Sequence, residues 1–525
     1  MYFNFGSLMY RTALTFSDRL ALYNIERQRS FTFMELHILT NKIFNMIRNY
    51  FKLGKEDIYA CLLKNDNFSL FSYWSPKAES AKLWLNYRDS KNEHFYQIDY
   101  LKPRLIFIEN EKLDDYYAEL RSRNIDIVCM DMPNRKYEGV YYFWELIEES
   151  EEKESDVEID LDEQIIDFRF TGGTTGQGKC CMYTMRNYLS GYYQLLSFNE
   201  NIFGDNERFL HMLPITHGTG VFTLPIFFKG GTQYTLNNVD LSLFYKTVER
   251  EKITSTFLVP TVLYRMLETE MDKKYDLRSL QTIIYASAPM NPQKLEELLV
   301  KYGNIFVQAY GGSEAYPNIF LLGKTDHIIK TDEDRIRLAS CGRPLVGVEV
   351  KIVDDKEEQV PVGSIGEIWV RTPSVIKGYY KNEEETLKTF SANGFWKSGD
   401  LGYIDKHGYV YIVDRKKDVI ISGGMNVYAS EVENVLNSHP AVKLATVIGI
   451  PHSEWGEAVH AEVVLKDGEN VTEDDLINYC KGTLAKYKVP KSISFVDEIP
   501  LSPYGKVLKR IVKEKYWREH TRNVN

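Results

Sequence analysis

Short apolar runs alternate with amphipathic stretches along most of the chain. Seven runs rich in β-branched and aromatic residues predict strands: AKLWL, PRLIFIE, DIVCM, TSTFLVP, QTIIYAS, NIFVQAY and GEIWVR. The stretches FTFMELHILTNKIFNMIRNYF and NPQKLEELLVKYG carry apolar residues at helical spacing and predict amphipathic helices. Strands interspersed with helices are typical of α/β proteins built from layered sheets and helices.

The C-terminal part has a different pattern. In GYVYIVDRKKDVIISGGMN a charged cluster separates two β-branched runs, which predicts a hinge. The next stretch, SEVENVLNSHPAV, places Ser430 and Glu433 at capping-box spacing ahead of apolar residues that share one helical face. We therefore expect a large N-terminal domain over residues 1–414 and a small, mobile α+β domain over residues 415–525.

The composition narrows the class of partner. The chain has 525 residues, 44% of them hydrophobic, which is enough for several cores. Its 64 Lys and Arg residues against 74 Asp and Glu residues give a net charge of −10. This balance argues against a nucleic-acid partner and favours a small molecule.

The cysteines and the apolar runs predict the location. Six cysteines, at positions 61, 129, 180, 181, 341 and 480, are scattered without a CxxC pair, so we expect reduced thiols and a cytoplasmic protein. The N-terminus lacks a basic segment followed by a long apolar one, and no run of about 18 apolar residues occurs. Neither secretion nor a membrane span is therefore expected.

The stretch FTGGTTGQGKCC contains a glycine loop. Gly173-x-x-x-x-Gly178-Lys179 has the spacing of a nucleoside-triphosphate P-loop, in which a hydroxyl residue follows the lysine and a helix begins directly. Here Cys180 follows, and CCMYT predicts an extended segment before a helix near Met185. A flexible turn between strands is one alternative. The donors Thr171, Thr174, Thr175 and Lys179 among glycines favour a loop that binds a triphosphate.

The loop and five later motifs carry a family resemblance. TGGTTGQGK resembles the phosphate loop of the adenylate-forming superfamily, which includes acyl-CoA synthetases, amino-acid-adenylating domains and beetle luciferases. YGGSE, GEIWVRTPSVIKGYY, FWKSGDLGYIDKHGYVYIVDRKKD, ISGGMNVYASEVE and PLSPYGKVLKR resemble its other motifs, in order, so the likeness covers roughly residues 10–514. The chain departs from the family at Gly172, Gly178 and Cys180, which stand for serine, proline and glycine. Glycine for proline loosens an unbound loop by about 1 kcal/mol, so we expect weaker ATP binding.

The resemblance implies an acyl-CoA synthetase, an AMP-forming acid–thiol ligase. Such an enzyme joins a carboxylic acid to the α-phosphate of ATP with Mg²⁺, releases pyrophosphate, and transfers the acyl group from AMP to CoA. Its partners are a fatty or aryl acid, ATP and CoA, and it is a monomer or a homodimer. An enzyme loading a separate carrier protein is an alternative, as is a non-catalytic nucleotide- or acyl-binding sensor. No aspartate lies near LPITHGTGVF to hold an amino acid's ammonium group, which argues against an amino-acid substrate.

The resemblance also implies roles for three residues in the two reaction steps. It places Lys506 between the carboxylate and the α-phosphate, where it neutralises developing negative charge. Glu314 is the expected Mg²⁺ ligand, with an ordinary surface glutamate as the alternative. Lys417 matches the position about which the small domain rotates, exchanging Lys506 for a surface that faces CoA.

The remaining site residues follow from the same resemblance. For some of these residues a purely structural role is the alternative: a turn aspartate for Asp400, a hairpin pair for Gly423 and Gly424, and a packed core histidine for His217. The expected cofactor-binding residues are Thr171, Gly173, Thr174, Thr175, Gly176 and Lys179 for the phosphates, Ser287, Ala288, Pro289 and Tyr310 for the adenine, Asp400 for the ribose, Arg415 for the ribose or a phosphate, and Gly423 and Gly424 for the pantetheine. Gly311 and Ser313 are also expected to bind a cofactor. The expected acid-binding residues are His217, Gly218 and Gly312.

Overall fold

The computed structural model describes residues 1–72, 74–133, 135–171, 178–198, 200–315, 318–501 and 507–517. The strands in these ranges are β1 (Tyr2–Phe3), β2 (Leu20–Asn24), β3 (Arg29–Thr32), β4 (Ile58–Leu63), β5 (Ala81–Asn86), β6 (Leu105–Ile108), β7 (Asp126–Cys129), β8 (Val140–Tyr142), β9 (Ile159–Asp160), β10 (Ile165–Phe170), β11 (Cys180–Thr184), β12 (Arg208–His211), β13 (Thr232–Thr235), β14 (Ser255–Leu258), β15 (Thr282–Tyr285), β16 (Phe306–Tyr310), β17 (Phe320–Leu322), β18 (Arg343–Pro344), β19 (Glu349–Val353), β20 (Gly366–Arg371), β21 (Gly378–Tyr379), β22 (Trp396–Ile404), β23 (Val410–Arg415), β24 (Ile420–Ser422), β25 (Met425–Val427), β26 (Val442–His452), β27 (Gly456–Leu465) and β28 (Ser492–Phe495).

The α-helices in the same ranges are α1 (Phe5–Thr15), α2 (Phe33–Asn45), α3 (Asn65–Phe68), α4 (Lys91–Leu101), α5 (Asn110–Ser122), α6 (Phe143–Glu149), α7 (Met185–Leu196), α8 (Thr223–Phe228), α9 (Leu241–Glu251), α10 (Pro260–Glu268), α11 (Pro292–Tyr302), α12 (Asp332–Arg337), α13 (Glu383–Thr389), α14 (Ala429–Asn437), α15 (Glu473–Lys481) and α16 (Lys509–Trp517). A π-helical turn, Met46–Tyr50, continues α2. Within the described ranges, none of the helices combines the length and the apolar character needed to cross a membrane.

Two large mixed sheets form the N-terminal part. The first has eight strands in the order β21-β11-β10-β5-β4-β6-β7-β8, and the second has nine in the order β18-β17-β16-β15-β14-β12-β13-β2-β3. One hydrophobic core joins them, because it contains Trp84 and Phe107 of the first sheet together with Phe209 and Tyr234 of the second. The shared core therefore fixes the two sheets relative to each other, and with them the carboxyl ends of their parallel strands, where such sheets usually bind ligands.

Three smaller sheets complete the described part of the chain, the smallest being the antiparallel pair β1–β9. Strands β19, β20, β22 and β23 form an antiparallel sheet, and β24–β28 form a five-stranded sheet with its own core. Helices α14 and α16 pack on β26, so this last unit is an α+β domain. The fold class predicted from the sequence, a large α/β part with a small α+β part, is confirmed, and the boundary at residue 414 stays a prediction.

The predicted elements agree with the observed ones except at one cap. All seven predicted strands and both helices are present, and the expected extended segment after the glycine loop is β11. The predicted capping box at the start of α14 is wrong. The backbone N–H of Ser430 donates to Asp414 (3.2 Å), and Glu433 pairs with Lys509 (2.9 Å). Contacts with β23 and α16 thus replace the local cap.

Candidate active site

A cavity of about 2190 Å³ lies between the large sheets, the four-stranded sheet and the C-terminal domain. Residues from distant motifs meet there. The lining includes fifteen predicted site residues: Thr171, Lys179, His217, Gly218, Ser287, Ala288, Pro289, Tyr310, Gly311, Gly312, Ser313, Glu314, Asp400, Arg415 and Lys417. Gly423 and Gly424 are not part of the lining. Gly173, Thr174, Thr175, Gly176 and Lys506 lie outside the described residues.

The glycine loop connects two antiparallel strands. Phe170 pairs with Cys180, the Thr171 N–H donates to the Lys179 carbonyl (2.9 Å), and the Lys179 N–H donates to the Thr171 hydroxyl (3.1 Å). A Walker loop leads from a strand into a helix, whereas here a second strand, β11, precedes α7. The geometry therefore agrees with the sequence argument against a Walker loop.

Two departures from the family pattern have structural explanations. A Cβ atom on Gly178 would lie 2.4 Å from the Thr171 carbonyl oxygen, so a glycine is needed where the strands approach. Cys180 is buried in the core on the outer side of the first sheet, and this burial raises the pKa of its thiol far above the ordinary value. The thiol therefore stays neutral inside this core.

Lys179 is held by two side chains of the GYYKNEEET segment. Its ammonium group forms an ion pair with Glu385 on α13 and lies 5.1 Å from the centroid of the Tyr379 ring. The Tyr379 hydroxyl donates to Glu314 (2.6 Å). Burial and the neighbouring Glu314 charge raise the pKa of Tyr379, so the hydroxyl remains a donor. The loop lysine and Glu314 are thus linked through one tyrosine.

Asp400 lies inside β22, so it is not the turn aspartate that the sequence left as an alternative. Its side chain is buried, accepts a hydrogen bond from the Tyr310 hydroxyl (2.5 Å) and pairs with Arg415 Nε (3.3 Å). Arg415 faces it across the β22–β23 ladder. Burial and the Asp400 charge raise the pKa of Tyr310 well above its ordinary value. The carboxylate is thereby fixed in the cavity wall.

Strand ends of the second sheet supply the adjoining wall. Ser287, Ala288 and Pro289 follow β15, and Gly311 to Glu314 follow the neighbouring parallel strand β16. Ser287 adopts a positive φ of 74°, an uncommon conformation for a residue with a side chain. The Tyr310 ring stacks on Phe320, with centroids 5.2 Å apart. Both segments belong to the carboxyl edge that parallel sheets use for ligands.

Two glycines let aromatic rings approach the cavity. A Cβ on Gly218 would lie 2.7 Å from the Phe257 ring, and one on Gly312 would lie 2.9 Å from Trp396. His217, beside Gly218, is half-buried and lines the same cavity, which favours the pocket position over the core alternative. These rings and glycines add apolar surface to the cavity wall.

The predicted hinge lies between two sheets. Lys417 is in a 3₁₀ turn, Lys416–Asp418, that leads from β23 of the four-stranded sheet to β24 of the five-stranded sheet. Gly423 and Gly424 form the two-residue turn between β24 and β25, with φ of 58° and 80°. A tight hairpin of this kind requires positive φ at both positions, so the turn alone accounts for both glycines.

Several cavity residues were missed from the sequence. Tyr379 and Trp396 lie inside quoted motifs, so motif context was the signal for them. Glu385, which pairs with Lys179 but is not part of the lining, had no signal beyond its place in an acidic run. Arg169 lines the cavity from β10, and the two charged residues of that strand, Asp167 and Arg169, directly before the loop were a usable signal.

A Mg²⁺ ion fits the site only as a companion of phosphates. In the described part of the chain, no group of three or more His, Cys, Asp and Glu side chains is arranged to hold a metal. Mg²⁺ commonly takes one or two protein carboxylates and fills its remaining positions with phosphate oxygens and water. Glu314 lines the cavity and is linked to Lys179 through Tyr379, so its carboxylate fits this description.

Comparisons with protein families agree with this arrangement. The profile of the AMP-binding enzyme family matches residues 9–380, and that of the AMP-binding enzyme C-terminal domain matches residues 431–506. The fold and the cavity thus define an adenylate-forming enzyme that uses ATP.

The curated relatives include several ligases. A medium/long-chain-fatty-acid–CoA ligase, FadD8, of Mycobacterium tuberculosis is 36% identical over 367 residues, which span 68% of this chain and 62% of that relative. A feruloyl-CoA synthase of Amycolatopsis is 35% identical over 70% of this chain and 73% of its own. A 2-succinylbenzoate–CoA ligase of Bacillus licheniformis is 32% identical over 96% of this chain and 98% of its own.

Solved structures share the whole fold. ATP-bound MatB from Rhodopseudomonas palustris has a TM-score of 0.86 at 26% identity, covering 98% of this chain and 100% of that one. MenE from Bacillus subtilis, in complex with its acyl-adenylate intermediate, has a TM-score of 0.83 at 27% identity, covering 98% of both chains. The chain belongs to the AMP-binding enzyme family, in its acyl-CoA ligase branch. The predicted family and enzyme class, an AMP-forming acid–thiol ligase, are confirmed.

Proposed function

We propose that this protein activates a carboxylic acid with Mg-ATP and transfers the acyl group to CoA, releasing AMP and pyrophosphate. The supporting observation is that one cavity is lined by groups from distant parts of the chain. They are Thr171 and Lys179 at the two ends of the glycine loop, Glu314, the Asp400–Arg415 pair, and residues 507–509 of the C-terminal part. The cytoplasmic location and the oligomeric state stay predictions from the sequence.

Adenylation needs the two reactants held in line and the developing charge neutralised. In our proposal Lys179 and the glycine loop bind the β- and γ-phosphates, and Glu314 holds the Mg²⁺ that accompanies them. Asp400 accepts hydrogen bonds from the ribose hydroxyls, with Arg415 as an adjacent donor. Lys506 contacts the carboxylate and the α-phosphate, and His217, Gly218 and Gly312 border the acid.

Thioester formation needs a second arrangement of the same groups. In our proposal the C-terminal domain turns about Lys417, which removes Lys506 from the α-phosphate and brings the Gly423–Gly424 hairpin beside the pantetheine. The hairpin's exclusion from the present cavity lining is compatible with this second state. Two states for two half-reactions also explain why one cleft serves both ATP and CoA.

A panel of carboxylic acids tests the function directly. Pyrophosphate release is measured for each acid with Mg-ATP, with and without CoA, and acyl-CoA is identified by mass. We expect acid-dependent release that CoA accelerates and that yields a thioester. Exchange without acyl-CoA, but with thioester on an added carrier protein, would favour the carrier-loading alternative. ATP binding without exchange across the panel would favour the sensor.

Removing the charge of Glu385 is expected to improve ATP binding. Lys179 must leave Glu385 to reach phosphates, and a partly exposed ion pair of this kind is worth about 0.2–1 kcal/mol. Glu385→Gln should therefore lower the KM for ATP by about two- to fivefold, measured by pyrophosphate release. Glu384→Gln, on the same helix but paired with Lys388, is the matched control. A raised KM in Glu385→Gln would mean that the pair supports the binding-competent loop.

A methyl group at Gly218 is expected to disturb the acid without disturbing ATP. The added carbon would lie 2.7 Å from Phe257, and overpacking of this kind costs about 1–3 kcal/mol. Gly218→Ala should raise the KM for the acid about tenfold and leave the KM for ATP unchanged. Gly204→Ala, where no atom lies within 4 Å of the new carbon, is the control. Equal changes in both KM values would contradict an acid-binding role.

A further inference from the structure

An arginine is built into the wall of the cavity directly before the glycine loop. Arg169 is only 8% exposed, yet it lines the cavity. Its guanidinium carbon lies 3.5 Å from the ring centroid of Trp84, 5.0 Å from that of Tyr183 and 5.4 Å from that of Tyr188. Aromatic faces hold the plane of a guanidinium, whose N–H groups point outward along its edge. The fork is therefore held in a defined orientation.

The surrounding charges favour an anion. Behind Arg169, Lys82 lies 3.6 Å from Asp167, and both side chains have no exposed surface. The Tyr188 hydroxyl donates to Asp167 (2.8 Å) and accepts from an Arg169 Nη (2.9 Å). The trio thus holds two cationic side chains and one carboxylate. The guanidinium on the cavity wall attracts a negative group that enters the cavity beside it.

Arg169 lies close to the reacting end of the cavity. Tyr183, whose ring flanks the guanidinium, donates its hydroxyl to the Ser313 carbonyl (2.6 Å), and Glu314 follows. The guanidinium is therefore separated from the proposed phosphate and Mg²⁺ end by about one tyrosine side chain. Val221 and Phe257 add apolar surface to the same cavity. A short acid whose reacting carboxylate faces Glu314 would present its other end to Arg169.

We propose that Arg169 binds a second carboxylate on the substrate, so that the preferred substrates are short dicarboxylic acids activated on one end. This inference rests on the proposed acyl-CoA ligase function and specifies its substrate class. The planar fork of arginine matches a carboxylate through two parallel hydrogen bonds. A neutral acid of the same length leaves that fork without its anion, and sites built for a polar group discriminate strongly against ligands that lack it.

The test compares acids in matched pairs of equal chain length: malonate with propanoate, succinate with butanoate, and glutarate with pentanoate. kcat/KM is measured by pyrophosphate release with Mg-ATP and CoA. The intact enzyme should favour the diacid of at least one pair by tenfold or more. Arg169→Met should lower kcat/KM for that diacid about 100-fold and change the neutral partner less than about threefold. Arg169→Lys should retain part of the preference, because it keeps the charge without the fork.

Arg208→Met is the matched control, because Arg208 also lies in a strand with its guanidinium 5.0 Å from a tyrosine ring centroid and is absent from the cavity lining. It should leave the diacid preference intact. Activity with neutral acids alone, in the intact enzyme, overturns the inference and leaves the ligase function standing. So does an equal loss for both members of a pair in Arg169→Met, which would indicate contact with the reacting carboxylate. Absence of pyrophosphate release with every acid overturns the ligase function and the inference together.

Discussion

Lys506→Ala should lower the rate of acid-dependent ATP–pyrophosphate exchange by about 10²–10³-fold. Removing one group that stabilises transition-state charge typically has an effect of this size. The next three residues, Val507, Leu508 and Lys509, line the cavity, which places the lysine's immediate chain neighbours beside the proposed nucleotide site. The same variant should convert supplied acyl-adenylate and CoA to thioester at close to the original rate, because in our proposal Lys506 acts only in the first half-reaction.

The two half-reactions make this prediction specific. Lys481→Ala, at the end of a helix in the C-terminal domain and outside the cavity lining, should leave both rates unchanged. Equal losses in exchange and thioester formation by Lys506→Ala would contradict the assignment, since a general defect of folding or domain closure affects both steps. Thermal unfolding of each variant separates loss of stability from loss of chemistry.

The sequence pattern was sufficient to predict the quoted strands and helices, and the motifs were sufficient to predict which residues line one site. The runs QTIIYAS and NIFVQAY form the neighbouring parallel strands β15 and β16. They could be recognised from the sequence because parallel strands that are buried on both faces are continuously apolar. Asp400 and Tyr310 were each predicted as site residues from separate motifs. Their mutual hydrogen bond joins residues 90 positions apart and depends on how β16 and β22 pack, which no local pattern encodes.

The wrong capping box and the missed partner of Lys179 also depend on contacts between residues that are far apart in the sequence. The spacing of Ser430 and Glu433 is that of a capping box, but both residues make contacts with other elements instead. Ser430 donates to Asp414 and Glu433 pairs with Lys509. Glu385 reaches Lys179 from α13, 206 residues away along the chain, so the acidic run that contains it gave no indication of its partner. Side-chain partners across the cavity are set by tertiary packing, whereas propensity and periodicity report only neighbours in sequence.

Asp400→Asn should lower kcat/KM for ATP by about 100-fold, mainly through a higher KM. Hydrogen bonds to a charged group contribute about 1.5–3 kcal/mol, and the ribose lies away from the bonds that form and break. Asparagine keeps the shape and can still accept from the Tyr310 hydroxyl, but it loses the charge that pairs with Arg415. In our proposal the same charge orders the ribose diol. The KM for the acid should stay within about threefold.

Two controls separate nucleotide binding from support of the sheet. Asp405→Asn changes the turn that joins the same two strands, outside the cavity lining, and should leave the KM for ATP unchanged. Tyr310→Phe removes only the donor to Asp400, so its effect on the KM for ATP should be smaller than that of Asp400→Asn. If Asp400→Asn instead lowers the unfolding temperature while ATP binding persists, the buried carboxylate serves the β22–β23 ladder and the ribose is held by other groups.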